Sequence, residues 1–484
     1  MPIPPLRLDE DTPALRAGLD RIREEFDVPG EHSPAAVAEA GQAAHRVLST
    51  LDDSGGSRRD ARDLELVTID PPGSRDLDQA LHIEGRHGGW RVHYAIADVP
   101  AFVARGGALD AEVSERGVTY YLPDRRAPLH PPILGEDAAS LLPGQDRPAL
   151  LWTIDLTGDG AVVDSNLERA TVRSRAQLTY AEVQVDVDSG RATGTLALLA
   201  EVGAARQERE AERNGVSLDL PTQRVTHAGD SYGLEHEEVV AAMGWNAQIS
   251  LLTGMVAADA MVGAGVGLLR TLPPPDRDVV KVVRREAKAL GVQWPEGASY
   301  QSVVRGLDGS NPDEAALLIL AARGLRGAGY LALVPGTPVP EDPQALRHAA
   351  VAAPYAHVTA PLRRLCDRAA LEVCLAIYND ATVPEGVLAT LPELPALMAR
   401  ARGSEGGAAR AAVDLVEALL LESRIGAVLD ATVVSSTDDR SGIVIHDLAV
   451  EATVEGSSLP VGEVVPVRVE TVDVVARQVR LVPA

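Results

Sequence analysis

The sequence predicts an α+β, multidomain chain, and three observations carry that reading. Residues 64–180 alternate or run apolar as strands do. From about 190 to 425 apolar residues recur at helical spacing, and from 425 onward short strand-length runs return. A length of 484 residues allows two or three domains, and a hydrophobic fraction of 45% supports a sizeable core. Aromatic residues make up only 3%, so Ala, Val and Leu must fill that core.

Residues 12–27 and 33–50 read as two helices, with Thr12 and Ser33 as N-caps and Val28-Pro29-Gly30 as the break between them. The pair is either helix-turn-helix-like or a buttress for the larger domain after it. Residues 52–62 form a polar connector, which places the end of the N-terminal helical region, 1–63. Strands are expected at Arg91–Ala97 and Leu150–Leu156. Helices are expected at 194–213, 235–262, 276–290, 312–326, 361–378 and 404–422, with loops at Pro273–Pro275 and Pro335–Pro343. The run at 251–269 carries Asp259 and reads as a buried helix before a Gly-rich turn. No uninterrupted apolar stretch makes a convincing transmembrane helix. The closing strands, 427–434, 441–445, 449–454, 464–469 and 478–482, fit a small OB-fold β-barrel over 425–484. This barrel has no Phe, Tyr or Trp on which a base could stack.

The formal net charge of −25 opposes nucleic-acid binding at long range, so any such activity must focus positive charge inside a channel. Lys occurs only at 281 and 288. The preference for Arg reflects genome composition more than phosphate recognition. The start, Met1-Pro2-Ile3-Pro4-Pro5, lacks a basic region and an apolar run, so no signal peptide is expected. Cys366 and Cys374 form no metal pattern and lie too far apart on one helix for a disulfide. Two ordinary buried thiols and a reducing cytoplasm are expected.

Chemistry concentrates in Thr68-Ile69-Asp70-Pro71-Pro72-Gly73-Ser74-Arg75-Asp76-Leu77-Asp78-Gln79-Ala80. Asp70 follows the end of a buried strand. Asp76 and Asp78 point the same way if the segment is extended, and the Pro-Pro-Gly-Ser reversal folds them back toward Asp70. Three carboxylates so gathered repel unless a cation sits between them. Hard oxygen ligands suit Mg2+, with Mn2+ as a substitute. Turn chemistry in an acidic protein is the alternative reading of the same residues.

The segment resembles the aspartate motif of the RNB catalytic domain of the ribonuclease II and ribonuclease R family. The resemblance continues through Ile96-Ala97-Asp98-Val99, Leu109-Asp110-Ala111-Glu112, 116–125, Ser140-Leu141-Leu142-Pro143-Gly144 and 174–180. It includes a second signature, Tyr355-Ala356-His357-Val358-Thr359-Ala360-Pro361-Leu362-Arg363-Arg364-Leu365-Cys366-Asp367, and runs from about residue 20 to about residue 420. It implies an RNB catalytic domain, a mixed sheet plus helices, over 64–424, followed by a barrel of the ribosomal S-one type. The N-terminal cold-shock domains usual in the family have no room here.

The resemblance further implies a processive 3′→5′ exoribonuclease that hydrolyses single-stranded RNA to nucleoside 5′-monophosphates with magnesium. The rival reading is a catalytically weakened RNA-binding regulator. Asp70, Asp76 and Asp78 match three of the family's four clustered aspartates, with Asp76, Asp78 and Arg363 as the catalytic set. Gln79 stands at the fourth position as a neutral donor without charge. The RNA-binding expectation covers Tyr121, Arg363, Arg364, Thr359, Tyr355 and Asn246. Arg364 and Arg368 have solvated surface as their alternative, on a helix over 362–377 read as amphipathic. Ala360 replaces a common family Ser, and no equivalent is found near 406–410 for a glutamate that clamps the terminal nucleotides. A monomer is expected, with DNA an improbable substrate and no membrane partner.

Overall fold

The computed structural model describes residues 8–9, 12–51, 58–218, 223–228, 231–236, 239–309, 311–436, 439–445 and 448–484. A seven-stranded mixed sheet runs in the order Ala176–Leu178, Val67–Ile69, Gln79–Arg86, Gly89–Ala97, Asp146–Thr157, Val162–Arg173, Arg59–Ala61. Its inner strands pair antiparallel, and the two edges, 176–178 and 59–61, pair parallel. The hairpin between Arg86 and Gly89 turns on two residues, and Gly88, at φ +80°, takes the left-handed conformation that such a turn requires. Arg59–Ala61 falls inside the expected connector, of which 52–57 lie outside the described residues. It joins the sheet because Ala61 is fully buried beside Ala170 and Val172.

Thr195–Glu212 packs on the sheet at Gln79–Arg86, and Leu365–Tyr378 packs on it at Val162–Arg173. Ala241–Ala264 and Leu365–Tyr378 pack on each other, and Leu394–Glu422 crosses toward the C-terminal barrel. Ala241–Ala264 is long and apolar enough to cross a membrane by composition, but over half of its apolar window is buried inside the protein. Residues 235–240, expected in this helix, instead include the end of strand Ser231–His236 and an extended lead-in at Val240. Leu365–Tyr378 is the clearest correction to the sequence reading. It is not amphipathic but buried nearly all round, Asp367 and Arg368 included. Arg368 pairs with Asp110. A charged residue in such a place is tolerated only when paired.

Of the two N-terminal helices, Pro34–Leu48 is capped as expected, with Ala36 N–H donating to Ser33 Oγ at 3.2 Å, whereas Thr12 makes no side-chain cap to Pro13–Glu25. The first helix buries Leu15, Leu19 and Ile22 against Leu394–Glu422. Gly18 faces Leu415 so closely that an added Cβ would lie 2.5 Å from it. Both helices thus spend their apolar faces on the body of the protein, as a buttress would. Strands Val428–Ser436, Arg440–Ile445, Val450–Glu455, Val464–Asp473 and Gln478–Pro483 close a five-stranded barrel, in keeping with the expected OB fold.

Candidate active site

Residues 70–78 form the irregular segment between Val67–Ile69 and Gln79–Arg86, so Asp70, Asp76 and Asp78 sit where two neighbouring strands of the sheet meet their connection. Two backbone ties hold the second half of the site against this segment. Thr119 N–H donates to Arg363 O at 3.1 Å, and Leu365 N–H donates to Gly117 O at 2.9 Å. The stretch 117–121 and the turn 360–364 are therefore tied together through the backbone.

Asp78 is the anchor. It is 2% exposed, its Oδ1 accepts Leu362 N–H at 2.7 Å, and its Oδ2 lies 3.2 Å from Arg363 Nε. Burial pushes its carboxyl well above the usual range, while Arg363 and the Leu362 amide pull it back. Burial also raises Asp70, to about 6; Arg363 opposes the rise and Asp76 adds to it. No hydrogen bond reaches the Asp70 carboxylate among the described residues. Asp76 accepts from Tyr121 Oη at 2.8 Å and from Arg126 at 3.1 Å. Arg126 also pairs with Glu136 at 3.0 Å.

Gln79 accepts a hydrogen bond from Tyr94 Oη. Burial first, then Tyr180 and Asp70, push the Tyr94 hydroxyl well above its ordinary value, so it stays a donor. Ser250, which hydrogen-bonds Tyr94, reaches Thr359 Oγ1 at 2.8 Å. A polar chain therefore runs from the aspartate loop to the 359–364 turn through the 241–264 helix. Asn246 lies one turn before Ser250, half-buried.

These places divide the expected RNA-binding set. Tyr121 is 43% exposed and the Arg363 side chain 44%, so both are open to a ligand. Thr359 and Tyr355 are buried. The Tyr355 ring packs edge-on to His357 and His348. Arg364 is a correction: its guanidinium forks both oxygens of buried Asp367 at 2.9 and 2.8 Å, and Asp367 also accepts Ala360 N–H at 2.7 Å. That ion pair shapes the turn and leaves Arg363 as its outward-facing arginine. Tyr94, Ser250 and Arg126 were not singled out from the sequence. The one available signal was their position beside the motifs, Arg126 directly after 116–125 and Tyr94 in the strand leading to Ile96-Ala97-Asp98-Val99.

A divalent cation fits this donor set. Asp70 offers a carboxylate that burial disfavours as an anion and that no donor among the described residues satisfies, and Asp78 and Asp76 keep lone pairs beyond the contacts they make. The oxygens of the three do not all lie within 4.8 Å of one another. Among the described residues, the set of possible ligands that does is His357, Cys366 and Asp367. That set suits a cation poorly. Arg364 holds Asp367, His357 Nδ1 is 2.9 Å from Tyr330 Oη, and burial pushes the Cys366 thiol up.

Residues 58–377 match the RNB domain, and residues 427–484 match the RNase II-type exonuclease C-terminal S1 domain. The chain is 29% identical over 356 residues to the exosome complex exonuclease RRP44 homolog A of Arabidopsis thaliana, covering 69% of this chain and 37% of that one. It is 27% identical over 379 residues to ribonuclease R of Chlamydia muridarum, covering 76% and 52%. The chain thus spans between about a third and a half of the length of such curated relatives. Apo RNase R of Mycoplasma genitalium superposes with a TM-score of 0.84 at 18% identity, covering 98% of this chain and 78% of that one, and that protein is also solved with single-stranded and with double-stranded RNA. Inactive forms occur among the similar proteins, namely inactive exonuclease DIS3L2 of Arabidopsis thaliana and the yeast pseudonuclease Ssd1. With 58–377 matched and the barrel behind it, this chain belongs to the RNB family and carries that family's S1 domain.

Proposed function

We propose that the chain is a magnesium-dependent exoribonuclease that works processively from the 3′ end of single-stranded RNA and releases nucleoside 5′-monophosphates. The observation that carries this reading is the gathering of Asp70, Asp76 and Asp78 around Arg363, with Asp78 binding the backbone of the arginine's own turn. Asp70 and Asp78 are the residues that would hold the metal, Mg2+ or Mn2+. When bound, such an ion neutralises charge on a phosphate and lowers the pKa of a coordinated water. Arg363 meets the phosphate with its free N–H groups, since one contact to Asp78 leaves most of its donors open. Tyr121 presents a ring for the base near the 3′ end while its hydroxyl holds Asp76, so base stacking and carboxylate position are coupled in one residue.

Tolerance of structured RNA behind a 3′ overhang, a monomeric state, indifference to DNA, absence of a membrane partner and a cytoplasmic location complete the proposal. The free, buried Cys366 and Cys374 agree with a reducing compartment. Gln79 favours a second reading, a weakened RNA-binding regulator, because Tyr94 holds its carbonyl and it brings no charge to a metal. Incubating 5′-labelled single-stranded RNA with the protein and magnesium, beside Asp78→Asn, separates the two. A shortening ladder or short end products absent from the variant support the enzyme. Intact but retained RNA supports the regulator.

A further inference from the structure

One cluster of positive charge lies outside the site described above. Helix Arg277–Ala289 carries Arg277, Lys281, Arg284, Arg285 and Lys288, including both lysines of the chain. At 3.6 residues per turn these five share about 100° of the helix surface. All five are exposed. The opposite side is anchored, with Val283 and Ala287 buried against Tyr300, Val304, Leu317 and Ala321. Lys281 pairs with Asp278 and Arg285 with Glu286, whereas Arg277, Arg284 and Lys288 make no ion pair among the described residues.

An aromatic completes the surface. Arg284 lies 4.9 Å over the ring of Trp294, and Arg284, Lys288, Trp294 and Glu296 line one cavity of about 340 Å3. On its other flank Arg285 lines a cavity of about 950 Å3 with Arg323, Arg326 and Arg410, between this helical unit, the Leu394–Glu422 helix and the barrel. Carboxylates of Glu286, Asp414, Glu417 and Glu451 line the same cavity. The barrel, by contrast, has no aromatic residue, and nine carboxylates against four arginines in residues 425–484. Its net charge is therefore negative, which disfavours a phosphate backbone at long range.

We propose that the exposed face of Arg277–Ala289, with Trp294, is a second RNA-binding surface. It takes the phosphate backbone and a stacked base of a single-stranded segment lying 5′ of the nucleotides in the catalytic site. The cations supply the sequence-independent attraction and Trp294 the base-tolerant platform that the barrel lacks. The inference rests on RNA being the substrate, but not on its hydrolysis.

The test measures RNA affinity of the full chain in chelator, so that binding is read without cleavage. It compares a single strand of roughly 20 nucleotides with one of about 5, the longer exceeding the site of a single OB fold. In Arg277→Gln/Lys281→Gln/Lys288→Gln the long strand should bind about 10-fold more weakly or worse. The slope of log Kd against log salt should fall by about 2, the value for three lost contacts to a single strand. Trp294→Ala alone should weaken long-strand binding by about 5-fold or more. Affinity for the short strand, and its hydrolysis with magnesium, should not change. Unchanged long-strand affinity would overturn the proposal and leave the face to an acidic protein partner. An equal loss on both lengths would also overturn it, by placing the effect in the fold. Wild-type protein that binds the long strand through this face yet cleaves nothing would refute the exonuclease and leave this surface standing.

Discussion

Asp78 would combine two roles in one side chain, because the carboxylate proposed to hold a cation also accepts the Leu362 amide. Asp78→Asn keeps the shape and removes the charge. Hydrolysis should fall more than about 100-fold, since even the groups behind a metal ligand are worth 10–100-fold. RNA affinity in chelator should stay within a few-fold, and a filter-binding curve beside a time course would check both. Asp70 sets a pH dependence. Its carboxyl, raised to about 6, is protonated below that value and so competes with the metal. Magnesium titrated calorimetrically should bind more weakly at pH 5 than at pH 7.5, with the change centred near 6. Equal affinities would show that Asp70 is not a ligand.

At the scale of elements, the 360–364 turn and the first turn of Leu365–Tyr378 are one unit joined by Asp367. A carboxylate in the first turn is favoured by the helix dipole, and the Arg364 fork and Ala360 amide satisfy it. Arg364→Ala leaves that buried charge without its ion partner, only the Ala360 amide remaining, at a cost of about 3–5 kcal/mol. Arg364→Lys should recover only part of it, because an ammonium cannot reproduce the fork. Denaturant unfolding of both variants measures this. The contact of Gly18 with Leu415 makes a second case. Gly18→Val should destabilise by about 1–3 kcal/mol through overpacking, although valine is otherwise acceptable on a helix face. Thermal unfolding reads that loss.

Across the whole molecule, Glu417 links the long helix to the barrel. Its Oε1 accepts from Gln223 Nε2 at 2.6 Å and from Glu451 N–H at 2.9 Å, and burial is the main cause that raises it to about 7. A raised carboxyl stabilises the docked state fully below its ordinary 4.5, and that contribution is lost as pH rises through 7. Between those values the shift corresponds to about 3 kcal/mol at most. Glu417→Gln keeps an acceptor and cannot ionise, so its stability should exceed wild type at pH 8 and match it near pH 4. Melting temperatures across that range would show the two curves converge on acidification. Parallel curves would mean that Glu417 ionises freely.

Local chemistry was legible in the residues. The five barrel strands, the capped helix after Ser33 and the aspartate loop all depend on periodicity, turn residues and capping that a short window contains. The sheet strands Gln79–Arg86 and Val162–Arg173 were less so, because their exposed ends and mixed polarity hide the alternation. By itself the sequence determined the fold class, the closing barrel and the two motifs that carry the family resemblance. Which arginine points outward and which braces a turn was decided only by the tertiary structure. So was the binding of Gln79 by Tyr94, and that of Leu362 by an aspartate 284 residues away. Burial and pairing belong to neighbours in space, and desolvation makes a charge structural wherever a partner surrounds it and functional where one side is left open.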